Sequence, residues 1–279
     1  MTRQYAQPDA TVRLSEPGPL SALSPAQARR HIRSGDWSVT TAGLANGFAQ
    51  TNLVAIPAAF ADDFLRFCMA NRACCPILDV TQPGDPIPHS LGKGIDLRTD
   101  LPRYRVYIDG LMSEEVTDVS AFWRDDLVSF SIGCSFSFEE ALLADGVPLR
   151  HVEQGSVVPM YRSTIPLVAS GPFGGSAVVS MRPMPPAAAI RAIQITSDMP
   201  SVHGAPLHIA RPDLIGIDDL MQPDFGDPPT MEENDIAVFW GCGVTPQAAL
   251  MSARIPFALT HAPGYMLITD IPNHKLKYR

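Results

Sequence analysis

No stretch of this 279-residue chain approaches the ~20 consecutive apolar residues that a membrane-spanning helix needs. The N-terminal "MTRQYAQPDATVRLSEPG" has no apolar core of the kind a secretory leader carries. Cysteine is scarce and odd in number: Cys68, Cys74, Cys75, Cys134 and Cys242 form no paired framework, so reduced thiols in a cytoplasmic protein are expected. Positive charge is also in deficit. With 21 Lys and Arg against 29 Asp and Glu, the net charge is −8, which speaks against nucleic acid or an anionic membrane as the partner. A small anionic substrate stays compatible, because a local arginine pair can oppose the global sign. Nucleotide and protease motifs are missing: there is no G-x-G-x-x-G, Walker loop, H-E-x-x-H or G-x-S-x-G. Cys68, Cys74 and Cys75 lack zinc-ligand spacing. The sequence therefore predicts neither a metal nor another cofactor.

What the chain does contain is a repeat. "FSIGCSFSFEEAL" at 130–142 and "FWGCGVTPQAAL" at 239–250 each put a cysteine beside glycine, after an apolar run and before a helix start. Gly133 matches Gly241, Cys134 matches Cys242 and Ser137 matches Thr245 at one offset without a gap (242 − 134 = 108). The match is either two copies of one structural unit or a coincidence of strand-turn-helix grammar.

An apolar fraction of 46% is ordinary for a globular protein of this length, and 27 scattered prolines suggest many short connections. "SPAQARRHIRSG" reads as a helix with Ser24 at its N-cap and Pro25 in its first turn. "IPAAFADDFLRFCMANR" reads as a second, with Phe60, Phe64, Phe67 and Cys68 on one face. The runs 127–134 and 236–240 read as strands, followed by helices opened by a Ser137/Glu140 capping box and by Thr245 as N-cap. "FALTHA" and "YMLITDI" are further strands. Strand, helix and strand at these lengths predict an α/β domain with a mostly parallel sheet. The texture between the copies predicts a smaller inserted α+β two-layer domain. The main domain would then comprise 1–151 and 216–279, and the insertion 152–215.

In an open parallel sheet, ligands bind beyond the carboxyl ends of strands, where helix N-termini carry partial positive charge. Both Cys134 and Cys242 are expected there, with a thiol pKa lowered by the helix. The alternative is packing, since free cysteine is among the most buried residue types. Arg162 and Arg182 lie on apolar β-like runs and would suit a substrate carboxylate, although an internal ion pair is the commoner explanation. His203, beside Gly204, is a candidate acid-base group, and His261 falls on the same predicted face as Cys242. Ser137 and Thr245, at the two helix starts, complete the candidate substrate-binding set. Glu139 and Glu140 read as structural, as first-turn acids commonly are.

These stretches together resemble the D-glutamate cyclase-like family, whose bacterial members are often called hydro-lyases. The resemblance is carried by "GFAQTNLVAIP", "CPILDVTQPGDP", "DLRTDLPRYRVY", "FSIGCSFSFEEAL", "VPMYRSTIP", "HGAPLHI", "FWGCGVTPQ" and "HAPGYMLITDIPN", in order along nearly the whole chain. Asn46 in "ANGFAQTN" departs from the proline expected there. The resemblance implies an α/β three-layer domain with a smaller α+β domain, and a hydro-lyase acting on a small amino acid. By analogy with a relative, the reaction would be cyclisation of D-glutamate to 5-oxo-D-proline with loss of water. No catalytic residues are carried over; Cys134, Cys242 and His203 are candidates from this sequence alone. Two other readings stay open: a cofactor-independent amino-acid racemase or epimerase using the two cysteines, and a non-catalytic binding protein for acidic amino acids. The partner expected is a small-molecule acidic amino acid, with no nucleic acid and no membrane, and a homodimer is left open.

Overall fold

A computed structural model describes residues 23–277; residues 1–22, which include the stretch searched for a leader, and 278–279 lie outside it. The first helix, α1 (Pro25–Arg33), begins as its sequence dictates. The Ser24 hydroxyl accepts from the Gln27 N–H, and the Gln27 side chain accepts from the Ser24 N–H at 2.9 Å, a reciprocal cap. The strands are β1 (Phe48–Pro57), β2 (Ile77–Val80), β3 (Tyr104–Ile108), β4 (Leu111–Val116), β5 (Leu127–Gly133), β6 (Met160–Pro166), β7 (Ser176–Met184), β8 (His208–Ile209), β9 (Ile236–Gly241), β10 (Phe257–His261) and β11 (Leu267–Pro272). The helices after α1 are α2 (Ala58–Ala70), α3 (Phe136–Ala144), the short α4 (Arg150–Glu153), α5 (Pro186–Ser197) and α6 (Thr245–Ala253).

The strands form two sheets. One runs β2-β5-β1-β10-β3-β4, with β11 pairing the start of β1; the other runs β6-β7-β9-β8. The fold is α/β, as expected, but the strand pairs between these elements are antiparallel rather than mostly parallel. The reason lies in where each helix delivers the chain. After β5 and α3, strand β6 joins the second sheet; after β9 and α6, strand β10 returns to the first. Strand, helix and strand do occur in succession, yet the two strands never become neighbours. Strand β9, expected with the main domain, pairs with β7 in the second sheet.

The repeat seen in the sequence is structural, and longer than the cysteine segments. Thr51 of β1 lies opposite Gly133, and Val179 of β7 lies opposite Gly241. β7 is thus the counterpart of β1 at an offset of 128 (179 − 51), just as β9 is the counterpart of β5. α2 and α5 share that offset, each beginning just after a proline N-cap, Pro57 and Pro185. The two copies are intertwined. Phe64 and Phe67 of α2 share a core with Ala249 and Leu250 of α6 under the first sheet. Phe138 and Leu142 of α3 share one with Ala189 and Ala192 of α5 under the second. Each sheet is therefore covered by one helix of its own copy and one from the other.

Neither the expected Ser137/Glu140 capping box nor the expected Thr245 N-cap forms. Ser135 and Val244 occupy the N-cap positions of α3 and α6, without side-chain caps. The Ser137 hydroxyl instead accepts from the Gln50 N–H of β1 (3.1 Å), and Thr245 Oγ1 from the Val178 N–H of β7 (3.0 Å). These are equivalent bonds, because Gln50 and Val178 are also 128 apart. In each copy a strand N–H takes the hydroxyl that would otherwise cap the helix. The Glu140 carboxylate accepts from the Asn273 amide.

At the centre, the copies cross backbone against backbone. A methyl group on Gly133 would fall on the carbonyl oxygen of Ser201, and one on Gly241 would fall on that of Ala73. Ala73 and Ser201 are themselves counterparts (201 − 73 = 128). Neither glycine has a positive φ, so space rather than conformation requires it. Gly133→Ala and Gly241→Ala should each destabilise the protein by about 1–3 kcal/mol or more, the usual range for overpacking against a rigid neighbour. Denaturant unfolding checks this; wild-type midpoints would mean the crossing is loose.

Candidate active site

The crossing brings Cys134 and Cys242, one residue beyond each glycine, into the neighbourhood of the opposite copy. Both are nearly covered, at 8% and 7% exposure. Each thiol also meets the start of the helix that follows it: the N–H of Phe136 favours the thiolate of Cys134, and that of Val244 favours the thiolate of Cys242. The sequence predicts that these helix ends lower the thiol pKa values. The opposite holds, because burial outweighs the helix contribution and pushes Cys134 up to about 12 and Cys242 up to about 11. Both thiols are protonated at neutral pH. Cys242 donates its S–H to the thioether of Met160 (3.4 Å). Cys74 joins from the first copy, close enough to Cys242 to feel its charge, and burial raises it to about 11.

His203 is the third group, and its backbone is unusual. It sits at φ +84°, a left-handed conformation uncommon for a residue with a side chain. Such strain persists only where the surroundings impose it, and it clusters at functional sites. Nδ1 lies 2.9 Å from the carbonyl of Ala73. A carbonyl only accepts, so Nδ1 carries the hydrogen and Nε2 holds the lone pair. Nε2 is buried and has no hydrogen-bond partner among the described residues. Burial, aided by the charge of Arg182 and opposed by the carbonyls of Ala73 and Gly133, lowers the imidazole to about 4. His203 is therefore a neutral base with a free lone pair.

Arg182 links the cluster electrostatically, since its charge acts on Cys134, Cys242 and His203 alike. Its guanidinium is fully buried between the rings of Phe138 (4.9 Å) and Trp240 (5.3 Å). It donates to Glu139 (3.0 Å from Nε) and to the hydroxyls of Ser180 and Ser135 (3.1 Å each). Glu139 also accepts from His151 at 3.0 Å. Burial alone would raise the Glu139 pKa, but the charges of Arg182 and His151 bring it down to about 2.

Three comparisons bear on what this arrangement belongs to. The sequence profile of the D-glutamate cyclase family matches residues 128–270, the span that carries both cysteines. A protein of Bradyrhizobium sp. strain BTAi1 named "Putative hydro-lyase" is 57% identical over 93% of this chain and 95% of its own length. Proteins of the same description from Azorhizobium caulinodans (54% identical; 94% of this chain, 97% of that protein) and Bacillus velezensis (52%; 92% and 97%) agree over nearly full length. The chain belongs to the D-glutamate cyclase family. A solved nitrogen repressor-like protein from Methanococcus jannaschii aligns over 84% of this chain and 91% of its own at a TM-score of 0.36 and 11% identity, which carries no argument.

Within this family member, the candidate residues divide. Cys134 feels Cys242, the charge of Arg182 reaches both thiols and His203, and His203 lies at the carbonyl of Gly133, the residue before Cys134. Arg162 does not join: on β6 its side chain is 59% exposed, 3.5 Å from Asp224 and over the ring of Phe225. Arg182 is near the thiols but fully engaged by Glu139 and two serines, so it supplies charge rather than a free carboxylate clamp. Ser137 and Thr245 tie strands to helices, as described above. The Nδ1 of His261 accepts from the Leu53 N–H (3.2 Å), and Gln247 donates to the His261 carbonyl (3.0 Å); burial lowers the ring to about 4. His261 thus fastens β10 to β1 and α6. Sequence reasoning missed Cys74, the Glu139–Arg182–His151 network and Asn52, whose amide donates to the carbonyl of Gly133 (3.1 Å). The available signal for Asn52 is three polar residues in a row, Gln50-Thr51-Asn52, in a strand buried along nearly all its length. Among the described residues, no group of three or more His, Cys, Asp or Glu is placed to hold a metal, and no helix is long and apolar enough to cross a membrane.

Glu139→Gln would leave Arg182 buried beside a neutral partner and should cost about 3–5 kcal/mol, as breaking a buried ion pair commonly does. Because the folded-state pKa of Glu139 lies below its unfolded value of ~4.3, its contribution is complete above that pH and is lost as pH falls toward 2. Thermal melts from pH 7 to pH 2.5 should show the gap between wild type and variant closing below pH 4. A gap constant with pH would show that the charge is not what stabilises.

Proposed function

We propose that the protein is a cofactor-independent hydro-lyase that closes D-glutamate to 5-oxo-D-proline with loss of water. The observation that carries this reading is a neutral base, His203 with its buried and unpartnered Nε2, at the carbonyl of the glycine that precedes Cys134, with protonated thiols at the starts of two helices. Ring closure needs both at once: a proton must leave the substrate ammonium, and protons must reach the departing oxygen. Two helix N-termini and the Arg182 charge suit a ligand with two carboxylates. Family membership supports the substrate class.

In this scheme His203 Nε2 takes one proton from the ammonium, and the amine forms a C–N bond to the γ-carboxyl carbon. The Cys134 thiol protonates one γ-oxygen and recovers a proton from the nitrogen. The imidazolium then protonates the same oxygen, the C–O bond breaks and water leaves. The nitrogen keeps one hydrogen; the two it lost depart in the water. A thiol raised by burial is a weak acid but a persistent donor, and the oxyanion it meets is a strong base. Holding amine and carboxyl in contact supplies much of the acceleration. Because the thiols and imidazole are covered, ligand entry requires the crossing segments to part.

Proton NMR of D-glutamate with the purified protein should show 5-oxoproline accumulating. His203→Asn keeps a residue that tolerates the left-handed backbone and should lower turnover roughly 10²–10⁴-fold with an unchanged circular dichroism spectrum. Wild-type turnover in that variant would remove His203 from the chemistry, and no product with wild-type protein would reject the substrate.

A further inference from the structure

Ring closure as written uses one base and one thiol, which leaves the second thiol unexplained. The intertwined copies make that excess specific. Around the crossing most polar groups are not repeated: the counterpart of His203 is Cys75, that of Arg182 is Val54, and that of Glu139 is Gln247 (203 − 75 and 182 − 54 are 128; 247 − 139 is 108). The thiols are repeated, and so are their immediate surroundings. Each follows a glycine crossed by the other copy's carbonyl, and each meets the N–H two residues ahead, Phe136 or Val244. Two equivalent groups, one presented by each copy, can approach one ligand from two sides.

We propose that Cys134 and Cys242 also exchange the Cα proton of the bound amino acid from opposite faces, interconverting its D and L forms. The inference rests on the reading that this site holds an acidic amino acid, but not on its being cyclised. One thiol first gives its proton to the free Nε2 of His203 and becomes the attacking thiolate. The Cα–H bond breaks toward that sulfur, and the electron pair moves into the adjacent carboxylate, where helix N–H groups meet the added charge. A new Cα–H bond forms from the opposite thiol, which is left as the thiolate. Nothing is oxidised or reduced, and the unconsumed His203 proton restores the starting state. Burial makes each thiolate scarce but strongly basic, which suits a weakly acidic C–H. Because the proton stays within the site, on His203, the reactive thiolate–imidazolium form has the same proton count as the resting state, and the exchange rate should stay flat from pH 7 to pH 9.

The test incubates wild-type protein with D-glutamate, and separately with L-glutamate, in deuterated buffer, followed by proton NMR and chiral chromatography of the unreacted pool. Loss of the Cα–H signal together with the opposite enantiomer is the expected result. Cys134→Ser and Cys242→Ser should each lower that exchange by about 100-fold or more. If 5-oxoproline forms while Cα keeps its hydrogen and the pool stays enantiopure, the exchange is overturned and the cyclisation stands. Exchange without ring closure would support this inference and overturn the cyclisation. Exchange at the wild-type rate in either folded Ser variant would overturn the two-thiol assignment. Should a variant fail to fold, the wild-type deuterium and enantiomer measurements decide alone.

Discussion

Everything in this molecule is organised around two places where backbone lies on backbone. At Gly133 and at Gly241, the carbonyl of a segment from the other copy occupies the volume a side chain would need. That constraint holds the two sheets together and makes the helices change partners. It also forces the residues just beyond each glycine, Cys134 and Cys242, into a shared and nearly dry environment. No single side-chain contact does as much. A third close approach, Gly243 against the amide of Asn52, tightens the same junction from the second copy's side.

In that dry environment the ordinary ranking of electrostatic effects is reversed. A helix start favours a thiolate by a modest amount, whereas removal from water disfavours it more strongly. The cysteines accordingly stay protonated, and His203 stays neutral for the same reason with opposite sign. The buried guanidinium of Arg182 is received by Glu139, two serine hydroxyls and two aromatic faces. The result is a site of uncharged donors and acceptors beside one compensated buried ion pair. Such a site is suited to moving protons rather than to forming permanent ionic contacts.

The architecture sets an asymmetric chemistry on a nearly symmetric frame. The thiols, the glycines and the strand-tying hydroxyls Ser137 and Thr245 occur twice, whereas the imidazole and the Arg182–Glu139 pair occur once. Duplication explains the scaffold and the paired donors. Divergence between the copies explains why one side of the junction holds a base and a guanidinium. Both readings of the site draw on that combination, one on the single imidazole and the other on the doubled thiols.

Much was legible in the chain itself. The Ser24-Pro25 start, the phenylalanine face of α2, the strand before each cysteine and the gapless cysteine repeat are local patterns, and local sequence determines them. The family resemblance, spread over many short motifs, is equally a property of the chain, and so is the position of both cysteines at strand ends before helices. Pairing was not legible, because periodicity tells a strand from a helix but not which strand lies beside it. Strand-helix-strand order therefore suggested a parallel sheet, where the tertiary structure either inserts an antiparallel strand between the two, as β5 stands between β1 and β2, or sends the second strand to the other sheet, as after α3 and α6. The second offset, which relates β1 and α2 to β7 and α5, was hidden because those segments share shape more than residues. Nor could sequence say that Arg162 faces solvent while Arg182 is enclosed, since both sit in similar apolar runs. The protonation state of the thiols was decided last and only by the fold: the helix start is written in the sequence, but the burial that outweighs it comes from tertiary packing, around Cys242 the side chains of Val158, Met160, Val178 and Val244.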